Sequence, residues 1–288
     1  DGTLLRNSLL KKGYYVIGTT RNINKLHIKI SSFSKNFNFV QCNPESFLDV
    51  ESIINKHNPN KIFLLSAQSS VGYSFEDPTS TNNSILLPII NILEVLKNKN
   101  DNIKFFHASS SEVFGNTSQP ATSSTDFKPL SPYGAAKAHA ADLIRIYRDT
   151  YNLNVCNGFL FNHESNLRGN NFVTKKIVNY VRSFSLNKNN EKLILGNLDI
   201  SRDWGLAIEY VEAMNSLLDL DKLHDAIICT GVQMTLLDFI NTAFNEFNLD
   251  FKDLIETSND LQRKNDLSSS IGDPLEASKL IGWRAKTV

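Results

Sequence analysis

The feature that most constrains this chain is a regular beat in its first half. Apolar, β-rich runs at residues 14–20, 37–41, 61–66, 103–108 and 155–161 take turns with helical patterns near residues 3–12, 44–56, 84–97 and 132–151. The apolar runs are continuous, so both faces of each strand are expected to be covered. Strands that alternate with helices predict a doubly wound, parallel α/β sheet, whose ligands gather at the carboxyl ends of the strands. Residues 116–131 are polar and rich in Ser, Thr and Pro, and read as a loop before a helix. Past residue 162 the beat fades into longer loops and isolated helices, the pattern of a smaller α/β lobe that closes over a substrate. The expected division is a sheet domain over residues 1–162, to which parts of 195–231 return, and a substrate-binding lobe over 163–288.

Composition narrows the function classes. The chain has 288 residues and is 41% hydrophobic, enough for a sizeable core. Thirty basic side chains balance thirty acidic ones, so no net field attracts nucleic acid or a membrane surface, and neither is expected as a partner. Cys42, Cys156 and Cys229 stand far apart in or beside apolar runs, with no metal-ligand spacing. Buried free thiols in a reducing compartment follow, with no metal. No apolar run is long enough to span a bilayer and no signal-peptide pattern opens the chain, so a cytoplasmic protein is expected.

Two segments carry the chemistry. In Ser131-Pro132-Tyr133-Gly134-Ala135-Ala136-Lys137, Ser131 can cap a helix and Pro132 suits its first position. Tyr133 and Lys137 then share one helix face. An ammonium beside a phenol is expected to lower the phenol's pKa and make it a usable general base. The second segment, Ser109-Ser110-Ser111-Glu112-Val113-Phe114-Gly115, follows the run at 103–108, so its hydroxyls and carboxylate fall at a strand's carboxyl end. On residue types alone, an ordinary surface pair and an ordinary Ser-rich turn are equally open readings.

Together these segments resemble the extended short-chain dehydrogenase/reductases, and the Ser-Glu-Val-Phe-Gly form looks like their sugar-nucleotide 4,6-dehydratases. Three later stretches sharpen the resemblance to the GDP-mannose 4,6-dehydratase family. They are Gly158-Phe159-Leu160-Phe161-Asn162-His163-Glu164-Ser165, Asn171-Phe172-Val173-Thr174-Lys175-Lys176-Ile177, and Leu195-Gly196-Asn197-Leu198-Asp199 with Arg202-Asp203-Trp204-Gly205. Gly272-Asp273-Pro274 and Gly282-Trp283 also fit, so the resemblance covers essentially the whole chain.

The resemblance implies NADP as a tightly held cofactor and GDP-mannose as substrate. It makes Tyr133 the base at the 4-hydroxyl and Lys137 its partner and a ribose contact. Ser110 becomes the hydroxyl on the 4-oxygen, and Glu112 the group that takes the C5 proton and helps expel water from C6. It assigns Gly2, Arg21, Asn43, Leu65, Ala67, His163 and Arg168, with Tyr133 and Lys137, to the cofactor. It assigns Asn162, Lys176, Arg202, Arg263 and Asp266 to the substrate. Arg21 follows the second family strand, where a cation can receive a 2′-phosphate, although Asn22 stands where a second arginine is common. Asn43 and Asp266 replace a usual aspartate and glutamate. Only Gly2 matches the family's glycine-rich turn; its first strand is expected to be missing, and both ends to be cut. A homo-oligomer is expected on resemblance alone. An epimerase or 4-reductase on the same fold, or a non-catalytic nucleotide-sugar binder, are the alternatives; intact Ser110, Glu112, Tyr133 and Lys137 argue against them.

Overall fold

The computed structural model describes residues 1–25, 35–99, 102–117, 119–186, 191–262 and 265–288. Helix α1 (Gly2–Lys11) leads into strand β1 (Val16–Thr20), which pairs in parallel with β2 (Phe37–Gln41). After α2 (Phe47–His57), strand β3 (Lys61–Leu64) starts a second parallel sheet. Helices α3 (Val71–Glu76) and α4 (Pro78–Lys99), strand β4 (Lys104–Ser110), helix α5 (Pro132–Tyr151) and strand β5 (Val155–Leu160) follow. Past β5 the chain runs through β6 (Asn162–Glu164), α6 (Val173–Ser185), β7 (Leu193–Leu195), β8 (Ser201–Leu206), α7 (Ala207–Asp219), β9 (Ala226–Ile228), β10 (Gln233–Thr235), α8 (Leu236–Asn245), β11 (Ile255–Thr257) and α9 (Leu275–Ile281).

Four strands make the central parallel sheet in the order β3-β4-β5-β9. Helices α2, α4 and α5 cover one face through Val50, Ile89, Leu93, Ala140 and Ile144. Helices α1 and α7 cover the other through Leu5, Leu9, Val211, Met214 and Leu217. This is the doubly wound α/β arrangement, and residues 207–228 return to it after an excursion into the lobe. The β1–β2 pair forms a sheet of its own, with no ladder joining β1 to β3 among the described residues. Both strands beside that gap are only half-buried along most of their length, whereas β5 is buried at every residue.

Local chemistry explains the element carrying Tyr133. The Ser131 hydroxyl accepts from the Gly134 amide at 3.0 Å, Pro132 fills the first turn, and Asn152 closes α5 at φ 54° in the left-handed region. Two glycines set how this helix meets β4. Gly115 has φ +66°, and a Cβ there would stand 2.0 Å from the Lys128 carbonyl oxygen. A Cβ on Gly134 would approach the Glu112 carbonyl oxygen to 2.8 Å. Only glycine lets the start of α5 lie directly on the turn after β4.

The lobe is built from short pieces. Strand β8 lies between β10, antiparallel to it, and β6, parallel to it; β7 pairs with β11. Ile177, Val181, Leu195, Trp204, Ile240 and Phe244 form its separate core. All three cysteines are free and buried. Among the described residues, no helix is long and apolar enough to cross a membrane, and no group of His, Cys, Asp and Glu could hold a metal.

Candidate active site

The carboxyl ends of β3, β4 and β5 open into a cavity of about 430 Å³ that the lobe covers. Ser110 ends β4, and its hydroxyl accepts from the Glu112 amide at 3.3 Å, starting the 3₁₀ turn Ser111–Val113. Tyr133, in the first turn of α5, reaches the same wall beside the Ser110 side chain. One turn on, the Lys137 ammonium donates to the Ala108 carbonyl at 2.7 Å and lies 5.9 Å from the Tyr133 ring centroid. Ser110, Glu112, Tyr133 and Lys137 all line the cavity.

The electrostatics differ from the sequence expectation. Burial pushes the Tyr133 phenol up to about 12; the Ser110 hydrogen bond offsets part of this and the Glu112 charge adds to it. The Arg168 charge also lowers it. Burial also pulls Lys137 down to about 8. The ammonium is aimed at a backbone carbonyl of β4, so in this form desolvation outweighs the charge that was expected to activate the phenol.

Of the residues assigned to a cofactor, Leu65, Ala67, His163 and Arg168 also line the cavity. The His163 Nδ1 meets the Phe161 carbonyl at 2.7 Å, its ring stacks on Tyr210 at 4.6 Å, and burial holds it neutral, at about 4. The Arg168 guanidinium lies 3.6 Å over the Phe172 ring, with its Nε 3.2 Å from Glu164. Gly2, Arg21 and Asn43 are not cavity residues. Gly2 is exposed at the start of α1, beside the cavity-lining Asp1. Arg21, just past β1, is 73% exposed and pairs with Glu45 at 3.7 Å. Asn43, past β2, is exposed and uses its side-chain oxygen on the Glu45 amide at 3.3 Å.

Of the substrate candidates, Asn162, Lys176, Arg202 and Asp266 line the cavity; Arg263 lies outside the described residues. Lys176 donates to the Ile194 carbonyl at 2.6 Å. Arg202 is 4% exposed; it donates from Nη1 to the Ser201 carbonyl at 2.9 Å and from Nη2 to Asp266 at 3.0 Å. Asp266, expected near a base or ribose, here holds an arginine instead.

Sequence reasoning passed over several cavity or supporting residues. Gln68 and Ser70 follow β3 in a polar run that could have marked them; the Gln68 amide donates to the Ser70 carbonyl and the Thr81 hydroxyl, both at 2.9 Å. Asp203, fully buried, accepts from the Thr230 amide at 2.9 Å, its hydroxyl at 2.7 Å and the Gly231 amide at 2.9 Å, tying β8 to the end of β9. His107 gave no signal, because it sits inside an apolar strand run.

Fold and site together define a doubly wound α/β protein with a Tyr-Lys pair and a Ser-Glu turn at its strand ends. Over residues 1–288 the chain matches the family model described as GDP-mannose 4,6 dehydratase. It is 36% identical to GDP-mannose 4,6 dehydratase 1 of Arabidopsis thaliana, over 99% of this chain and 82% of that protein. It is 32% identical to GDP-mannose 4,6 dehydratase of Dictyostelium discoideum, over 100% of this chain and 89% of that one. The chain belongs to the GDP-mannose 4,6-dehydratase family. In fold it is similar to a dTDP-glucose 4,6-dehydratase from Streptomyces venezuelae solved with NAD (TM-score 0.88, 18% identity, 100% of this chain and 89% of that one). It is also similar to an RMD structure from Pseudomonas aeruginosa complexed with NADPH (TM-score 0.77, 19% identity, 90% and 87%).

Proposed function

We propose that this chain dehydrates GDP-mannose to GDP-4-keto-6-deoxymannose, using a bound NADP that ends the cycle as it began. The observation that carries the reading is the convergence of Ser110, Glu112, Tyr133 and Lys137 on one cavity at the strand ends. The cavity fits a nicotinamide ribose. The Ser109 hydroxyl is buried in its wall without a partner, and Lys137 has donors beyond the one spent on Ala108. Leu65, Ala67, His163, Arg168 and Lys137 would hold that group. When bound, the nicotinamide would supply a hydride acceptor for C4 and a positive charge beside the phenol while oxidised, and the hydride donor for C6 once reduced.

The residues of this chain supply position and proton transfer. Tyr133 takes the 4-hydroxyl proton, and a cation near it offsets the burial that holds its pKa high. The Ser110 hydroxyl holds the 4-oxygen. Once C4 is a ketone the C5 proton is acidic; Glu112 removes it and returns a proton to the departing 6-hydroxyl, which leaves as water. Asn162, Lys176, Arg202 and Arg263 hold the GDP part, where cations suit a diphosphate. In this reading residues 1–162 with 207–228 bear the cofactor and most of the remainder bears the substrate. The buried free thiols support a cytoplasmic, reducing setting.

Two experiments test this. Glu112→Gln, mixed with GDP-mannose in single turnover, is expected to accumulate reduced cofactor and a 4-keto hexose that keeps its 6-hydroxyl. Equal slowing of C4 oxidation without that accumulation would overturn the role of Glu112. For the cofactor, the Arg21–Glu45 pair is exposed and weak, so the Arg21 guanidinium is available to a 2′-phosphate. Arg21→Ala is expected to weaken NADP binding by about 10-fold or more while leaving NAD within about 2-fold, the scale of one charge-assisted hydrogen bond. Equal effects on both dinucleotides would remove the case for NADP.

A further inference from the structure

Strand β8 carries a fully buried carboxylate directly behind a cavity cation. Side chains alternate across a strand. Arg202 and Trp204 line the cavity, and Asp203 between them turns to the far side, onto Thr230, Gly231 and Gly272. Its Oδ1 takes both the amide and the hydroxyl of Thr230; its Oδ2 takes the Gly231 amide and faces the Gly272 amide at 3.5 Å. A carboxylate is costly to bury, and hydrogen bonds to a charged acceptor are strong and hold geometry tightly. The donors reach β8 from two directions. Thr230 and Gly231 follow β9, which pairs with β5 in the central sheet. Gly272 ends a strap, residues 266–272, that runs along β8: the Ser201 amide donates to the Ser268 carbonyl at 2.9 Å, and the Ser270 amide to the Ser201 carbonyl at 3.2 Å. The strap begins at Asp266, which accepts from Arg202 Nη2 at 3.0 Å inside the cavity. Arg202 thus meets the strap in front and Asp203 meets it behind, and the rear contact joins both to the sheet domain.

We infer that Asp203 is a positioning residue for substrate recognition: by fixing β8 to the end of β9, it holds the Arg202 guanidinium at a set distance from Ser110, Glu112 and Tyr133. A nucleotide sugar needs that distance fixed, because its diphosphate and its reacting carbons are bound by different parts of the chain. Arg202 stands on the lobe; Ser110, Glu112 and Tyr133 stand on the sheet domain, and Asp203 spans the junction. Placing GDP at Arg202 rests on the proposed function; the hold of Asp203 on Arg202 does not. A misplaced diphosphate contact costs affinity before it costs turnover of bound substrate.

The test is a double-mutant cycle on the full chain, read by calorimetric binding of GDP. Asp203→Asn keeps the shape but turns one acceptor into a donor facing donors. It is expected to weaken GDP by about 10-fold, and by less than about 2-fold when Arg202 is already alanine. Thr230→Val, which removes one donor, should weaken GDP by about 3-fold, and Thr230→Ser, which keeps it, should match the parent. Where GDP-mannose is turned over, KM should rise with the loss of affinity while kcat stays within about 3-fold. Arg202 is also read without ligand, by NMR exchange of its guanidinium protons, assigned by their loss in Arg202→Ala. That exchange should quicken by about 10-fold in Asp203→Asn, less in Thr230→Val, and not in Thr230→Ser. If the parent does not bind GDP but the exchange responds in this order, the proposed substrate site fails and this inference stands. Equal weakening of GDP with and without Arg202, or an unmoved guanidinium exchange, would overturn it. Should Asp203→Asn not fold, the two Thr230 variants decide on the same readouts.

Discussion

Tyr133→Phe should lose turnover of GDP-mannose by about 10²-fold or more while binding it almost normally. The loss is the usual scale for a positioned proton-transfer group. The ring is 8% exposed and belongs to the hydrophobic cluster under α5, a place that phenylalanine keeps. Only the hydroxyl goes, and with it the polar approach to Ser110. No chemical substitute stands next to it: Lys137 is aimed at the Ala108 carbonyl, and Ser110 is the group expected to hold the substrate oxygen. The measurement pairs kcat with a direct binding constant, because an effect on binding alone would indicate a packing role. Near-normal kcat in Tyr133→Phe would sink the assignment of the base.

Asp225→Ala should cost about 3–5 kcal/mol, the scale for breaking a buried ion pair from one side. The carboxylate is 7% exposed and accepts from Arg145 Nε at 2.8 Å, Arg148 Nη1 at 2.6 Å and the Asn157 amide at 2.9 Å. Its loss takes from two half-buried guanidinium groups their one buried carboxylate, leaving them the more exposed Asp142 and Asp149, each at 3.6 Å. Burial alone would raise the Asp225 pKa, but the hydrogen bond and charge of Arg148, with the Asn157 and Arg145 contacts, bring it below the ordinary carboxylate value. A lowered folded pKa stabilises only where the unfolded carboxyl is ionised. The contribution is therefore complete above about pH 4 and fades as the pH falls from there through the folded value. Denaturant melts of parent and variant should thus differ most at neutral pH and converge in acid. A constant gap down to pH 3 would mean that packing, not charge, fixes this corner.

The sheet and helix α5 were readable in the sequence because each satisfies local and long-range demands at once. The run at 155–161 is apolar but for Asn157 and Gly158 and becomes β5, buried at every residue; Ser131, Pro132 and Asn152 bracket α5 by local capping chemistry. The lobe was not readable in the same way. Strands β7, β10 and β11 are three residues each and exist only through their partners. The Tyr133–Lys137 spacing was legible but its electrostatics were not, since spacing cannot tell that the ammonium turns to Ala108 or that burial raises the phenol. Arg21 and Asn43 were located at strand ends by pattern, yet whether a side chain faces a cavity or water depends on neighbours such as Glu45. His107 and Asp225 were invisible, because a buried polar chain is made of residues 118 positions apart that meet only once β4, β5 and β9 align.

Helix α5 carries both the proposed base and the centre of the core, and this fixes the order in which the molecule can come apart. Tyr133 and Lys137 line the cavity; Ala140 and Ile144 lie in one hydrophobic cluster, Ala138 and Ala141 in another, and Arg145 and Arg148 hold Asp225. The proton-transfer groups cannot loosen unless the sheet domain itself unravels. The lobe, with its three-residue strands and separate core, can fray and re-form above them at much lower cost. Substrate entry can therefore draw on motion in one part of the chain without disturbing the alignment of the groups that do the chemistry in the other.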